Sequence, residues 1–278
     1  MTNTLKTFAL LGILSVILIT LGGFLGGRDG IYMAFFFSLL MNGGMYFFSD
    51  KLALSMSGAK PLSKNTHGDI YAMVEELSRK IKIPMPKLYI TPQSQANAFA
   101  TGRGPGHASV AVTQGILDTL SKEELRGVLA HELSHVKNRD ILVATIAAVL
   151  ASAISFLANM SLFGGYSRDN DNRGAGAFGL FLALLVPIAA SLVQMAISRQ
   201  REFGADETGA RTIGTGAPLA KALVAIHDSA RRKPMHANPA FSSLYIGDPL
   251  GGWGGKMLHL FSTHPPLQER VKKLERIK

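Results

Sequence analysis

A chain of 278 residues that is 47% hydrophobic and only 17% charged is too apolar for intrinsic disorder and short of the roughly 25% charge of an ordinary soluble domain. It has no Cys, which excludes disulfide scaffolds, cysteine nucleophiles and zinc sites built on thiolates; any metal must be held by His, Asp or Glu. The net charge of +10 admits nucleic acid, an acidic partner or an anionic membrane surface, and its distribution along the chain decides among them.

Four stretches carry no charge: Thr7–Gly27, Gly30–Ser49, Ile141–Ser167 and Gly174–Ser198. Each reaches roughly the 20 residues a helix needs to cross a bilayer core. The first lacks an A-x-A cleavage site and is followed at once by the second, so it reads as a retained anchor rather than a signal peptide. Only Arg28 and Asp29 separate the first two runs, and the polar insert Arg168–Arg173 joins the last two. Two membrane hairpins result. The third run is rich in Ala and Ser and the fourth carries Pro187 and Gln194, which also suits buried helices of a large domain; their length and lack of charge favour spans. Residues 50–140 hold 12 Lys and Arg and residues 198–278 hold 13, whereas the two turns hold only Arg28, Arg168 and Arg173. The positive-inside rule therefore puts both large segments in the cytoplasm. The basic excess is a topology signal, and no nucleic-acid partner is expected. Gly22, Gly23, Gly26 and Gly27 make two overlapping G-x-x-x-G pairs, either for close helix packing or as the ordinary Gly enrichment of membrane helices.

Between the runs lies a soluble segment. Ile70, Met73, Val74, Leu77 and Ile81 have helical spacing within Thr66–Lys82, which ends before Pro84. Leu88–Ile90 reads as a short strand, and Ala98–Ala100 with Ala108–Val112 as two antiparallel strands around a Gly-rich turn. Residues 234–255 read as a mobile Gly- and Pro-rich loop, and Leu267, Val271, Leu274 and Ile277 share one face of a final helix.

Chemistry concentrates in residues 121–140. Ser121 and Glu124 form a capping box that starts a helix. On it His131 and His135, four apart, share a face and can bind one zinc ion. Glu132 beside them can serve as a general base. This is the H-E-x-x-H arrangement of zinc metalloproteases, set against the alternative of two surface histidines. After the fourth run, Glu202 and Asp206 share a face at i and i+4. One carboxylate could bind the metal while the other holds an imidazole N–H; a solvated helix with an Arg199–Glu202 pair is the competing reading. Two crossings between the His pair and this segment return the chain to the same side of the membrane.

These residues resemble the HtpX-type membrane-bound zinc endopeptidases, relatives of the C-a-a-X prenyl proteases. The resemblance covers nearly the whole chain and rests on His131–His135 with Lys137–Asp140, Arg201–Asp206, Asn97–Gly102 and Ser262–Pro266. It implies one zinc ion per subunit held by His131, His135 and Glu202, with Glu132 as catalytic base and Asp206 orienting an imidazole. It further implies that Asn97, Ala98, Phe99 and Ala100 lie in a substrate-aligning edge strand and that His264 stabilises the oxyanion; the Ser-Thr-His-Pro-Pro run also suits a plain loop-to-helix junction. Arg270 either supports that region or belongs to the basic tail. His67, His107, His227, His236 and His259 call for nothing beyond packing or surface positions.

The expected fold class is membrane α-helical plus α+β. Four transmembrane helices carry a mostly helical gluzincin-like domain with a small antiparallel sheet. Residues 1–49 form the first hairpin, 50–140 the first part of the protease domain, 141–198 the second hairpin and 199–278 the rest of the domain. By the resemblance, the function is cleavage of misfolded or damaged membrane proteins at the cytoplasmic face of the bacterial inner membrane, in stress response and quality control. Its partners are polypeptide substrates and the lipid bilayer. The alternative is a membrane-anchored metal-binding adaptor or holdase, against which Glu132 speaks, because a structural zinc site needs no adjacent base.

Overall fold

The computed structural model describes residues 3–146, 199–232, 246 and 265–278. Helix α1 (Asn3–Met56) breaks at Gly26–Gly27, where Gly27 takes φ 57° and ψ −138°, a conformation open to glycine and closed to side chains. The turn thus falls just ahead of Arg28–Asp29. The two halves pack antiparallel: Asn42 Nδ2 donates to Ser15 Oγ at 2.7 Å, and the Gly22 and Gly30 backbones meet so closely that a Cβ on either would strike the other's carbonyl. Apolar side chains such as Met33 (75% exposed) and Leu40 (77%) face outward. Among the described residues no single helix is long and apolar enough to cross a membrane; one pair bent by 64°, Gly26–Gly44 with Tyr46–Met56, meets that length and composition. Residues 141–146 are helical. The rest of the third run, nearly all of the fourth, and the Arg168–Arg173 insert lie outside the described residues.

Strands β1 (Lys60–Pro61), β2 (Lys87–Thr91), β3 (Ala98–Gly102) and β4 (Ala108–Thr113) form one sheet in the order β1-β2-β4-β3. The β3–β4 hairpin is antiparallel as expected, with Ala100 opposite Val110. However, β2 runs parallel to β4, with Leu88 also opposite Val110, so the sheet is mixed rather than antiparallel. The reason is topological. β3 is spliced between β2 and β4 in the chain but sits on the outer side of β4, so β4 runs back in the direction of β2. Every residue of β3 and β4 is buried, as in a sheet covered on both faces.

Helix α2 (Gly68–Ile81) buries the face of Ile70, Val74, Leu77 and Ile81 and ends at a left-handed Lys82. Helices α3 (Gln114–Thr119), α4 (Lys122–Lys137), α5 (Arg199–Ile213), α6 (Ala217–Arg232) and α7 (Leu267–Leu274) complete the described elements. The core gathers Leu77, Ile116, Leu129, Leu133, Leu219, Ile226 and Leu274. Helix α4 runs through its centre, packed on α2, α5, α6 and β3. Two glycines permit this close packing. A Cβ on Gly127 would lie 2.7 Å from the Leu219 amide nitrogen of α6, and one on Gly209 of α5 would lie 3.0 Å from that of His131.

Candidate metal centre

Helix α4 starts on the expected capping box: the Ser121 amide donates to Glu124 Oε2 at 2.8 Å, and the Glu124 amide donates to Ser121 Oγ at 3.3 Å. Its end reverses the chain. The Arg139 amide donates to the Val136 carbonyl and the Asp140 amide to the His135 carbonyl, with Arg139 left-handed at φ 58°. This is a Schellman turn with Arg in the position glycine usually takes. It folds Asp140 back over His135.

The two imidazoles lie at 88° with centroids 4.7 Å apart, and their Nε2 atoms are 3.2 Å apart. From α5, Glu202 brings Oε1 to 3.4 Å from His135 Nε2 and Oε2 to 3.9 Å from His131 Nε2. One donor atom from each of the three residues lies within 4.8 Å of the others. The outer nitrogens face carboxylates. Asp206 Oδ1 is 2.9 Å from His131 Nδ1, though short of a straight hydrogen bond; Asp140 Oδ2 is 3.2 Å from His135 Nδ1. Carboxylates at both Nδ1 atoms hold the protons there, which turns both Nε2 lone pairs toward each other and toward Glu202. That arrangement repels itself unless a cation or a proton sits between. A tetrahedral ion with bonds of about 2.0–2.1 Å needs donor atoms about 3.3–3.4 Å apart, close to two of the three separations. Among the described residues, the carboxylates of Glu132, Glu202, Asp206 and Asp140 gather round the pair with the guanidiniums of Arg201 and Arg270, an acidic surrounding that suits a cation. The donor set fits a metal ion.

The same imbalance governs the titrating groups. Burial pushes Glu132 up to about 8, with the Glu202 charge adding to it, while His135, the Ala100 amide and Arg270 pull the other way. Burial disfavours the charged form of His135, yet Asp140, Glu202 and Glu132 outweigh it and hold the imidazole up at about 10: a proton takes the place that a cation would fill. Burial holds His131 below the usual value despite Asp206. For Asp206 burial is overcome by Arg270, whose charge and hydrogen bonds keep the carboxyl at about 2. His135 keeps 15% of its side chain exposed, against 1% for His131 and 4% for Glu202, so the cluster opens to solvent on the His135 side.

Glu132 is buried and faces the Ala100 amide. Just before β3 the Asn97 carbonyl accepts from the Thr113 amide of β4, so the alternating backbone groups of Ala98 and Ala100 point to the outer edge of the sheet. There the Ala98 carbonyl accepts from the Ile246 amide at 3.2 Å, and Arg270 Nη1 donates to the Ile246 carbonyl at 3.2 Å.

The sequence-derived candidates thus largely converge. His131, His135, Glu202, Glu132 and Asp206 form one cluster, and Asn97–Ala100 lie at the sheet edge beside it. Glu202 and Asp206 are buried rather than solvated. His264 lies outside the described residues, as does the 234–255 segment apart from Ile246. His107 is exposed in the 3₁₀ turn before β4. Three residues carry roles not assigned from sequence. Asp140 faces His135, Arg201 Nη1 lies 3.7 Å from Asp140 Oδ1, and Arg270 grips Asp206 through Nε at 2.8 Å and Nη2 at 2.7 Å. The available signals for Asp140 were its place just past the end of a capped helix and its membership of the Lys137–Asp140 run.

A model of peptidase family M48 matches residues 64–278. The chain is 49% identical over 277 residues to a Protease HtpX homolog of Pelotomaculum thermopropionicum, covering 98% of each chain. It is 47% identical over 266 residues to one of Aquifex aeolicus, covering 93% of this chain and 87% of the relative. Among solved structures it resembles S. mikatae Ste24p with a TM-score of 0.53 at 18% identity, spanning 98% of this chain and 65% of that one, a likeness of fold alone. By the family match and the near-full-length relatives, the chain belongs to peptidase family M48, among the HtpX-type proteases.

Proposed function

We propose that this protein is a membrane-integrated zinc endopeptidase that cleaves misfolded or damaged membrane proteins at the cytoplasmic face of the bacterial inner membrane, as part of quality control under stress. The observation that carries the reading is the convergence of His131, His135 and Glu202 with Glu132 alongside on the same helix. Zinc bound there supplies Lewis acidity, acidifying the attacking water and polarising the scissile carbonyl. Nε2 of both imidazoles and the Glu202 carboxylate hold the ion. Asp206 and Asp140 keep the Nδ1 atoms protonated and the rings oriented, and Arg270 keeps Asp206 ionised. Glu132 takes the proton of the attacking water and returns it to the leaving amine. The strand edge at Asn97–Ala100 aligns an extended substrate backbone by strand addition, the Ala98 carbonyl passing from the Ile246 amide to the substrate, and His264 donates to the developing oxyanion. The charge-free runs, the sorting of Lys and Arg, and the outward apolar face of α1 support insertion in the membrane with four spans.

The test is cleavage of an unfolded membrane protein by detergent-purified enzyme. Zinc supports cutting and a chelator stops it. Glu202→Ala, left with two imidazoles, loses tight zinc retention; unchanged zinc content in that variant would remove Glu202 from the ligand set and make Asp206 the leading replacement.

A further inference from the structure

Where α1 leaves its apolar stretch and meets the sheet, a groove of about 520 Å³ opens. Phe47 and Phe48, 54% and 57% exposed, and Lys51 line its helix wall; Lys87 and Arg103 line its sheet wall. Rings and cations interleave: the Arg103 guanidinium lies 5.3 Å from the Phe47 ring centre, and the Lys51 ammonium 5.4 Å from that of Phe48. Other cations of the domain are neutralised by carboxylates. Lys80, Lys122 and Arg126 sit on surface carboxylates, and Arg201 and Arg270 on buried ones. Among the described residues no carboxylate comes within ion-pair distance of Lys51, Lys87 or Arg103, and the groove holds a single acid, Asp50. Three cations against one carboxylate, walled by aromatic rings, make a site for a phosphate attached to an apolar body.

We infer that this groove binds the headgroup of an anionic glycerophospholipid, whose acyl chains lie along the exposed apolar face of α1 at Phe36 and Leu40. The inference rests on the proposed reading of α1 as a membrane hairpin with its end at the cytoplasmic face. Phe47 and Phe48 then stand at the inner edge of the headgroup layer, their rings against the acyl chains, and the three cations meet the negative leaflet. A phosphate held between Lys51 on the helix and Lys87 and Arg103 on the sheet ties the hairpin to the protease domain. Arg103 follows β3 directly, so the lipid also sets where the strand facing Glu132 stands above the membrane.

The experiment uses the full chain in nanodiscs of dioleoylphosphatidylcholine containing a minor fraction of dioleoylphosphatidylglycerol, with co-purifying lipid counted by native mass spectrometry. The wild type retains phosphatidylglycerol in preference to phosphatidylcholine. Each single change, Lys51→Gln, Lys87→Gln or Arg103→Gln, lowers that preference by up to about fivefold, the worth of one cation near an anionic surface. The charge-preserving Lys51→Arg/Lys87→Arg/Arg103→Lys variant retains it, as does Lys80→Gln/Lys122→Gln. An unchanged preference in all three Gln variants overturns the site. Inorganic phosphate that displaces the lipid from detergent-solubilised protein as readily as phosphatidylglycerol does makes the ligand a soluble anion and overturns the lipid assignment. Alkaline carbonate extraction separates two failures. Release of the protein refutes the membrane reading and this site with it, whereas a protein that stays in the membrane without lipid preference refutes the site alone.

Discussion

Arg270→Met removes the cation that, among the described residues, grips Asp206. Arg270 is 2% exposed and donates two hydrogen bonds to the Asp206 carboxylate, at 2.8 and 2.7 Å, and a third to the Ile246 carbonyl. Met preserves much of the stem and none of the charge, leaving a buried carboxylate with His131 as its partner among the described residues. Orphaning one partner of a buried pair costs about 3–5 kcal/mol, against a total stability of about 5–15 kcal/mol for an ordinary domain. Linkage offers an independent check. The folded pKa of Asp206, about 2, lies below the ordinary carboxylate value. Its contribution of about 2 kcal/mol is therefore present above the unfolded pKa and lost as pH falls through the folded one. In the variant, burial acts without the guanidinium, the carboxyl is pushed up instead, and this acid-side loss disappears. Thermal unfolding in detergent at pH 7 should show a fall of roughly 6–20 °C. The double variant Arg270→Met/Asp206→Asn, which has no orphaned charge, should lose less than the two single changes added, by about 0.5–3 kcal/mol. A single variant within about 1 kcal/mol of wild type, or strict additivity in the double, would refute the reasoning.

Two further changes probe the supports of the cluster. Gly209→Ala inserts a Cβ 3.0 Å from the His131 amide nitrogen and should cost about 1–3 kcal/mol through overpacking, lowering zinc affinity as α5 is pushed off α4; Gly204→Ala, with open space at its Cβ, should lower neither in a thermal melt with parallel zinc titration. Asp140→Ala takes the carboxylate from His135 Nδ1 and should weaken zinc binding by about 10–100-fold, measured by competition with a chelator; unchanged affinity would reduce Asp140 to a cap of the chain turn.

What was legible in the sequence was whatever local spacing encodes. The face of α2 and the His131–His135 and Glu202–Asp206 pairs follow from a period of 3.6 residues, and the capping box of α4 from the Ser121–Glu124 spacing; each appears in the structure, whereas α7 ends at Leu274 and leaves Ile277 beyond it. The parallel pairing of β2 with β4 was not legible, because a hairpin signal between β3 and β4 says nothing about which edge of β4 takes β2. Asp140 stands five residues after His135, a spacing that faces away on a straight helix; only the left-handed Arg139 brings it back. Arg270 and Asp206 are 64 residues apart, with no local pattern linking them. Arg270 was read from sequence as either a support of the Ser262–Pro266 region or part of the basic tail; the structure buries it against Asp206, a contact neither reading contained.

As the base of a metallopeptidase, Glu132 must move a proton; beside a metal-binding adaptor site it would be a bystander. Glu132→Gln keeps the size of the side chain and leaves His131, His135 and Glu202 untouched. The purified, membrane-inserted variant should bind zinc as the wild type does, yet cut an unfolded membrane protein about 10²–10⁴-fold more slowly, the usual cost of losing a general base. Undiminished proteolysis by the zinc-loaded variant would contradict the account.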